Sequence, residues 1–282
     1  MSTEQVSRRN RVPGTFRDAC KDAYVLVNHF LNDSQPWGRC SSDKSDFEYN
    51  DDLRGAVKEK VKKSLEVLEC AIDRHGLEEI AISYNGGKDC LVMLILILAT
   101  IYKMKYISSG SPDGPTGVES KFDDNYKLDA IYINSEVPFP QVSEFIANST
   151  LQYHLNAVVI KDSLKEGFDT YLKAKPEIKA IIVGIRRSDP YGSTLEYEQV
   201  TDHNWPKFLR IHPILHWDYV HIWDFLIGCD LDYCQMYDLG YTSIGGINNT
   251  VPNPYLQNGN SYRPAYTLRE DADNRERLGR TK

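Results

Sequence analysis

At 282 residues and 41% hydrophobic content, the chain is long enough to bury a full α/β core as one domain with appendages. Its formal net charge of −7 excludes a broad electrostatic attraction to nucleic acid or to an anionic membrane, so any grip on phosphate has to come from a local cluster. The cysteines Cys20, Cys40, Cys70, Cys90, Cys229 and Cys234 contain no Cys-x-x-Cys pair, which excludes a disulfide framework and leads to the expectation of reduced thiols in a cytoplasmic protein.

In chain order, apolar residues recur at helical spacing over 16–31 and 53–75, as in Val57, Val61, Leu65, Leu68 and Ile72, around a polar loop at 34–52. Strands and helices then alternate: strand 79–84, helix 89–105, strand 128–134, helix 140–153, strand 156–160, helix 163–175 and strand 179–185. The apolar run from Leu91 to Ile101 is about half of the ~20 residues that a membrane span needs, and the start Met1 to Gln5 is polar, so a soluble chain without a leader is expected. The segment 108–124, rich in Ser, Gly, Pro and Asp, reads as a surface insertion. Beyond residue 186 come loops, a strand at 209–215 and helices near 220–227 and 232–237. Alternation of this kind predicts a Rossmann-like parallel sheet with helices on both faces, preceded by helices and followed by a loop-rich part. The expected organisation is a helical segment 1–75 packed on a nucleotide-binding core 76–190, with a substrate-binding extension 191–282, all in one compact domain.

The most informative stretch is Ser83-Tyr84-Asn85-Gly86-Gly87-Lys88-Asp89-Cys90, where an apolar strand turns directly into an apolar helix. Two glycines let the backbone bring its N–H groups close to an anion, and the helix adds its positive N-terminal end. Lys88 contributes a charge, and Asp89 can accept from a ribose or a metal-bound water. Neither a Walker A loop nor a Gly-x-Gly-x-x-Gly fingerprint is present at this turn. The stretch resembles the modified phosphate loop of the N-type ATP pyrophosphatases: Ser83, Gly86, Gly87, Lys88 and Asp89 match, and Cys90 replaces the final small hydroxyl residue.

The second strand ends in Asn134-Ser135-Glu136-Val137-Pro138, which either borders a nucleotide or simply connects strand to helix. At the matching edge, Gly184-Ile185-Arg186-Arg187-Ser188-Asp189 sets two guanidiniums beside a carboxylate; it matches that family's Gly-x-Arg-x-x-Asp element at Gly184, Arg186 and Asp189. His212, His216 and His221 are not spaced for a metal site. Trp217 and Trp223 read as core, with an aromatic wall for a ring substrate as the alternative. Gly245-Gly246-Ile247-Asn248-Asn249 lies in a stretch too polar for core, and residues 235–282 contain no cysteine, which excludes thiol chemistry there. The tail from Arg263 to Arg280 reads as a solvated charge run or, through Arg277 and Arg280, as a site for a second phosphate-bearing substrate.

Taken together, these segments resemble the eukaryotic, fungal-type FMN adenylyltransferases, the FAD synthases of the sulfonucleotide-reductase-like branch of the ATP pyrophosphatases, over roughly residues 55–282. The resemblance implies an adenine nucleotide alpha hydrolase-like fold and adenylyl transfer from ATP to the phosphate of FMN, with Mg²⁺ as cofactor. It further implies that Ser83, Tyr84, Gly86, Gly87 and Lys88 cradle ATP, and that Asn85 and Asp89 place the reacting groups, Asp89 also meeting the metal. Asn134, Ser135 and Glu136 would border adenosine, and Gly184, Arg186, Arg187, Gly245, Gly246 and Asn248 would line the ligands. Asp189 would orient the flavin, and Arg277 and Arg280 would bind FMN or stabilise charge at the α-phosphorus. A monomer that delivers FAD to apoflavoproteins is expected. A sulfonucleotide reductase or sulfurylase and a non-catalytic nucleotide sensor are the other readings, the first disfavoured by the missing tail cysteine.

Overall fold

The computed structural model describes residues 14–34, 44, 46–107, 125–202 and 204–281. Helix α1 (Phe16–Leu31) starts on a capping box: Asp18 N–H donates to Thr15 Oγ1 at 3.2 Å, and Thr15 N–H donates to Asp18 Oδ2 at 2.9 Å. Helix α2 (Asp51–His75) begins two residues before its apolar pattern, because Asn50 Oδ1 accepts the Leu53 N–H at 2.8 Å. The chain then enters β1 (Ile80–Ser83) and helix α3 (Lys88–Tyr102), which continues as a π-helical turn over Lys103–Ile107. A helix apolar on every side must be enclosed, and α3 packs against α1, α2 and a later helix, α6, of the C-terminal part. Over Lys88–Ile107 it is long and apolar enough to cross a membrane, and 67% of its apolar 18-residue window is buried inside the fold.

There follow β2 (Leu128–Ile133), α4 (Pro140–Gln152), β3 (Leu155–Ile160), α5 (Leu164–Ala174) and β4 (Ala180–Ile182). After β5 (Glu198–Val200) and β6 (Leu209–Ile211), α6 spans Tyr219–Gly228. The sheet order is β3-β2-β1-β4-β6-β5, parallel throughout except for the antiparallel edge strand β5. Side chains alternate across it: Ile80 and Ile82 of β1 join the core around α3, while Ala81 joins Ile131, Phe168, Tyr171 and Ile181 on the opposite face. Both faces are therefore covered, as parallel sheets require.

Several bounds differ from the sequence reading. The strand expected at 209–215 ends at Ile211 because His212 and Pro213 lead into a turn, and the helix expected at 232–237 is a 3₁₀ turn over Gln235–Leu239. Strand β5, the hairpin β7 (Gln257–Asn258) with β8 (Ser261–Tyr262), and the single turn α7 (Ala272–Arg275) were not anticipated. They are too short to carry a period. The 108–124 insertion lies outside the described residues.

Candidate active site

The turn after β1 is held from within. Asn85 Oδ1 accepts the Gly87 N–H at 2.9 Å, and the Lys88 N–H donates to Tyr237 Oη at 2.9 Å. Gly86 adopts φ +71°, and a Cβ there would stand 2.6 Å from Ile146 Cγ1, so a side chain is excluded by backbone strain and by space. Tyr84 is fully buried and its hydroxyl donates to Ser149 Oγ at 2.9 Å, so only its backbone faces the turn. Cys90 is buried against Gly184, and burial pushes its thiol up to about 12.

Lys88 and Arg186 form the centre of a buried ionic cluster. Lys88 Nζ lies 3.0 Å from Asp89 Oδ2 and bonds Glu276 of the tail. Arg186, 1% exposed, meets Asp89 at 3.0 Å, Asp189 at 3.4 Å and Asp273 at 3.2 Å, and it also bonds Glu276. Burial alone would depress the Lys88 ammonium, but Asp89 and Glu276 more than offset it and hold the group above the usual lysine value. Burial would raise Asp89; Lys88 and then Arg186 hold it below the usual carboxylate range. Arg186, expected to meet a phosphate, is here surrounded by four carboxylates and ties the tail to the carboxyl edge of the sheet. Asp189 orients this arginine, accepting its backbone N–H at 2.9 Å.

Glu276 and Asp273 were missed. They stand among arginines in a tail that reads as self-paired surface charge, and their burial is set by contacts 87 to 188 residues away in sequence. Tyr237 was missed as one of many tyrosines.

The remaining expected residues sort by location. Gly184 lies against Met93 and Cys90 of α3. Arg187 turns to the neighbouring loop, donating to Ser193 O at 2.6 Å. Asn134 Oδ1 accepts the Glu136 N–H at 3.1 Å; Ser135 and Asn248 are solvent-facing. Glu136 accepts the Gly246 N–H at 2.6 Å, and Gly245 N–H donates to Thr250 Oγ1 at 3.2 Å. Arg277 comes within 3.8 Å of Asp189, and Arg280 within 3.8 Å of Glu136, so the two tail cations flank the ends of β4 and β2. Trp217 and Trp223 are buried, Trp217 donating to Ser64 Oγ at 3.0 Å. His212 bonds Glu196 O, His216 faces Arg187 and His221 caps α6, so they share no site.

No group of three His, Cys, Asp or Glu side chains is placed to hold a metal ion among the described residues. The two oxygens of Asp89 face Arg186 and Lys88. A divalent cation bound here with phosphate would have to displace one of these cations to take Asp89 as its protein ligand, and would draw its other ligands from phosphate and water, as Mg²⁺ does.

The sequence profile of the phosphoadenosine phosphosulfate reductase domain matches residues 79–252. A probable FAD synthase of Schizosaccharomyces pombe is 38% identical over 225 residues, spanning 79% of this chain and 80% of the relative. The flavin adenine dinucleotide synthase of Saccharomyces cerevisiae is 37% identical over 191 residues, 64% of this chain and 60% of the relative. The crystal structure of Candida glabrata FMN adenylyltransferase with FAD and inorganic pyrophosphate aligns with a TM-score of 0.81 at 26% identity, covering 97% of this chain and 99% of that one. Yeast FAD synthetase in complex with FAD aligns with a TM-score of 0.78 at 27% identity, covering 94% and 99%. The chain belongs to the phosphoadenosine phosphosulfate reductase domain family and, within it, to the FAD synthases.

Proposed function

We infer that this chain is an FMN adenylyltransferase, joining ATP and FMN into FAD with release of pyrophosphate. The observation that carries this reading is the near full-length likeness to an FMN adenylyltransferase holding FAD and pyrophosphate, in a chain whose motifs meet at one sheet edge. An oxygen of the FMN phosphate attacks the α-phosphorus of ATP; the bond between the α-phosphorus and the α,β-bridging oxygen breaks, and its electron pair leaves with pyrophosphate. The attacking phosphate is already anionic at neutral pH, so no general base is needed. Positioning and charge stabilisation then supply the rate.

The chain's own residues suit that task. The Gly87 and Lys88 N–H groups, now donating to neutral oxygens of Asn85 and Tyr237, gain charge-assisted bonds when phosphate replaces those acceptors. Lys88 keeps its charge although buried. Asp89 and Asp189 fix the cationic side chains, and Arg277 and Arg280 are placed to meet the phosphate of FMN or the charge that develops at the α-phosphorus. Mg²⁺ bound to the triphosphate, with Asp89 as its protein ligand, would neutralise charge on the leaving pyrophosphate.

Incubation of the purified protein with FMN, ATP and Mg²⁺, followed by chromatography, tests this: FAD and pyrophosphate should appear in equal amounts, and pyrophosphate without FAD would refute the acceptor. Three further properties are tested separately. The magnesium requirement predicts loss of turnover with EDTA and recovery on adding Mg²⁺, the monomer predicts sedimentation at the mass of one chain, and delivery to apoflavoproteins predicts transfer that outpaces dissociation of FAD. The free cysteines Cys20, Cys70, Cys90, Cys229 and Cys234 support a reducing, cytoplasmic setting.

A further inference from the structure

Glu136 leaves the end of β2 and crosses to the 245–250 loop. Its Oε2 accepts the Gly246 N–H at 2.6 Å, its Oε1 accepts the Asn249 side-chain amide, and Arg280 Nη2 stands 3.8 Å from Oε2. A backbone N–H, an amide and a guanidinium converging on one carboxylate form the donor set that holds a phosphate. Arg280 is fixed from both ends. Its backbone bridges to Thr250, and its guanidinium lies so close to Gly245 that any Cβ there would overlap it. The buried Nε of Arg280 has no hydrogen-bond partner.

Other contacts hold the loop as well. Ile247 N–H already donates to Val137 O at 2.9 Å, and Pro138 bridges to Gly246. Glu136 is 39% exposed at its side chain, so it can swing into solvent without leaving a buried charge behind.

We propose that Glu136 is an internal stand-in for a substrate phosphate: Gly246 N–H, Asn249 and Arg280 form a phosphate subsite, and Glu136 sets its affinity by competing for the same donors. This rests on the reading of the chain as an enzyme joining two phosphate-bearing substrates. The phosphate monoester of FMN and the polyphosphate of ATP share the required chemistry, and separate binding measurements distinguish them.

The test is Glu136→Gln, which keeps the size of the side chain and its acceptor for Gly246 while removing the charge. FMN binding is read by flavin fluorescence and binding of a non-hydrolysable ATP analogue by calorimetry, at low and at high salt. One of the two ligands should bind about three- to tenfold more tightly at low salt, with its KM falling in step. The gain should shrink as salt screens the competing charge. Asn249→Ala, which removes a donor, should weaken the same ligand. Unchanged or weaker binding of both ligands to Glu136→Gln, or a gain indifferent to salt, would reduce Glu136 to a loop latch and overturn the proposal. FAD formation by the unaltered protein is followed in the same samples; its absence would refute the assigned reaction, while the binding comparison would still judge Glu136.

Discussion

Lys88 has lost its solvent but not its charge, because Asp89 and Glu276 replace the water it gave up. Removing the ammonium leaves two carboxylates short of a partner in a buried place, so Lys88→Met should lower stability by about 3 kcal/mol in urea denaturation. It should also cut kcat/KM by about 10²–10³-fold if the group stabilises the transition state. His221 gives a second prediction at this scale. Its Nδ1 accepts the Asp218 N–H at 2.8 Å, and burial, then the Lys60 ammonium, pull the ring down to about 4 against the opposing Asp218 and Asp273 carboxylates. An unfolded histidine titrates near 6.5, so between that value and about 4 the unfolded chain binds a proton that the folded chain refuses. Stability is therefore lost as pH falls from 7 to 5, by about 1–2 kcal/mol from this ring. Glutamine can accept the same N–H without titrating, and His221→Gln should flatten that slope in denaturation midpoints measured across the range. Single residues were legible where local chain geometry fixes their place: Ser83 to Asp89 announced their turn through two glycines and a lysine. Glu276 was not legible, since nothing near it in sequence signals that Lys88 and Arg186 will enclose it.

Helices and strands with a sustained period were readable because each buries a stripe or a face of its own. The short β5, the β7–β8 hairpin and α7 were not, since tertiary contacts alone hold two- to four-residue elements. Contacts between elements also escape a reading by period. Helices α2 and α6 are pinned by Arg54 and Asp224, 2.7 Å apart and almost wholly buried, with the guanidinium 4.5 Å from the Phe30 ring centre. Burial lifts the Asp224 carboxyl above its usual value even though Arg54 works against that shift, so the pair is held at a cost. Either Arg54→Met or Asp224→Leu alone should destabilise the fold by about 3–5 kcal/mol. The double variant should regain most of that loss in chemical denaturation, because it removes both charges together. A double variant as unstable as the worse single would contradict this account.

At the scale of the whole molecule, Glu276 and Asp273 bring the tail back onto Lys88 and Arg186, joining the end of the chain to the carboxyl edges of β1 and β4. Open parallel sheets place their ligands at that edge, and the closed tail packs against it. The order of the chemical segments was legible because each follows a strand; the closure was not, because it depends on ion pairs between distant parts of the chain. In adenylyl transfer the α-phosphorus of ATP passes to FMN. That transfer is tested most directly with ATP radiolabelled at the α-phosphate in one reaction and at the γ-phosphate in another, with FAD and pyrophosphate separated afterwards. The α label should enter FAD and the γ label should enter pyrophosphate. Label from the γ position in a flavin product, or α label released as free AMP with no labelled FAD, would contradict it.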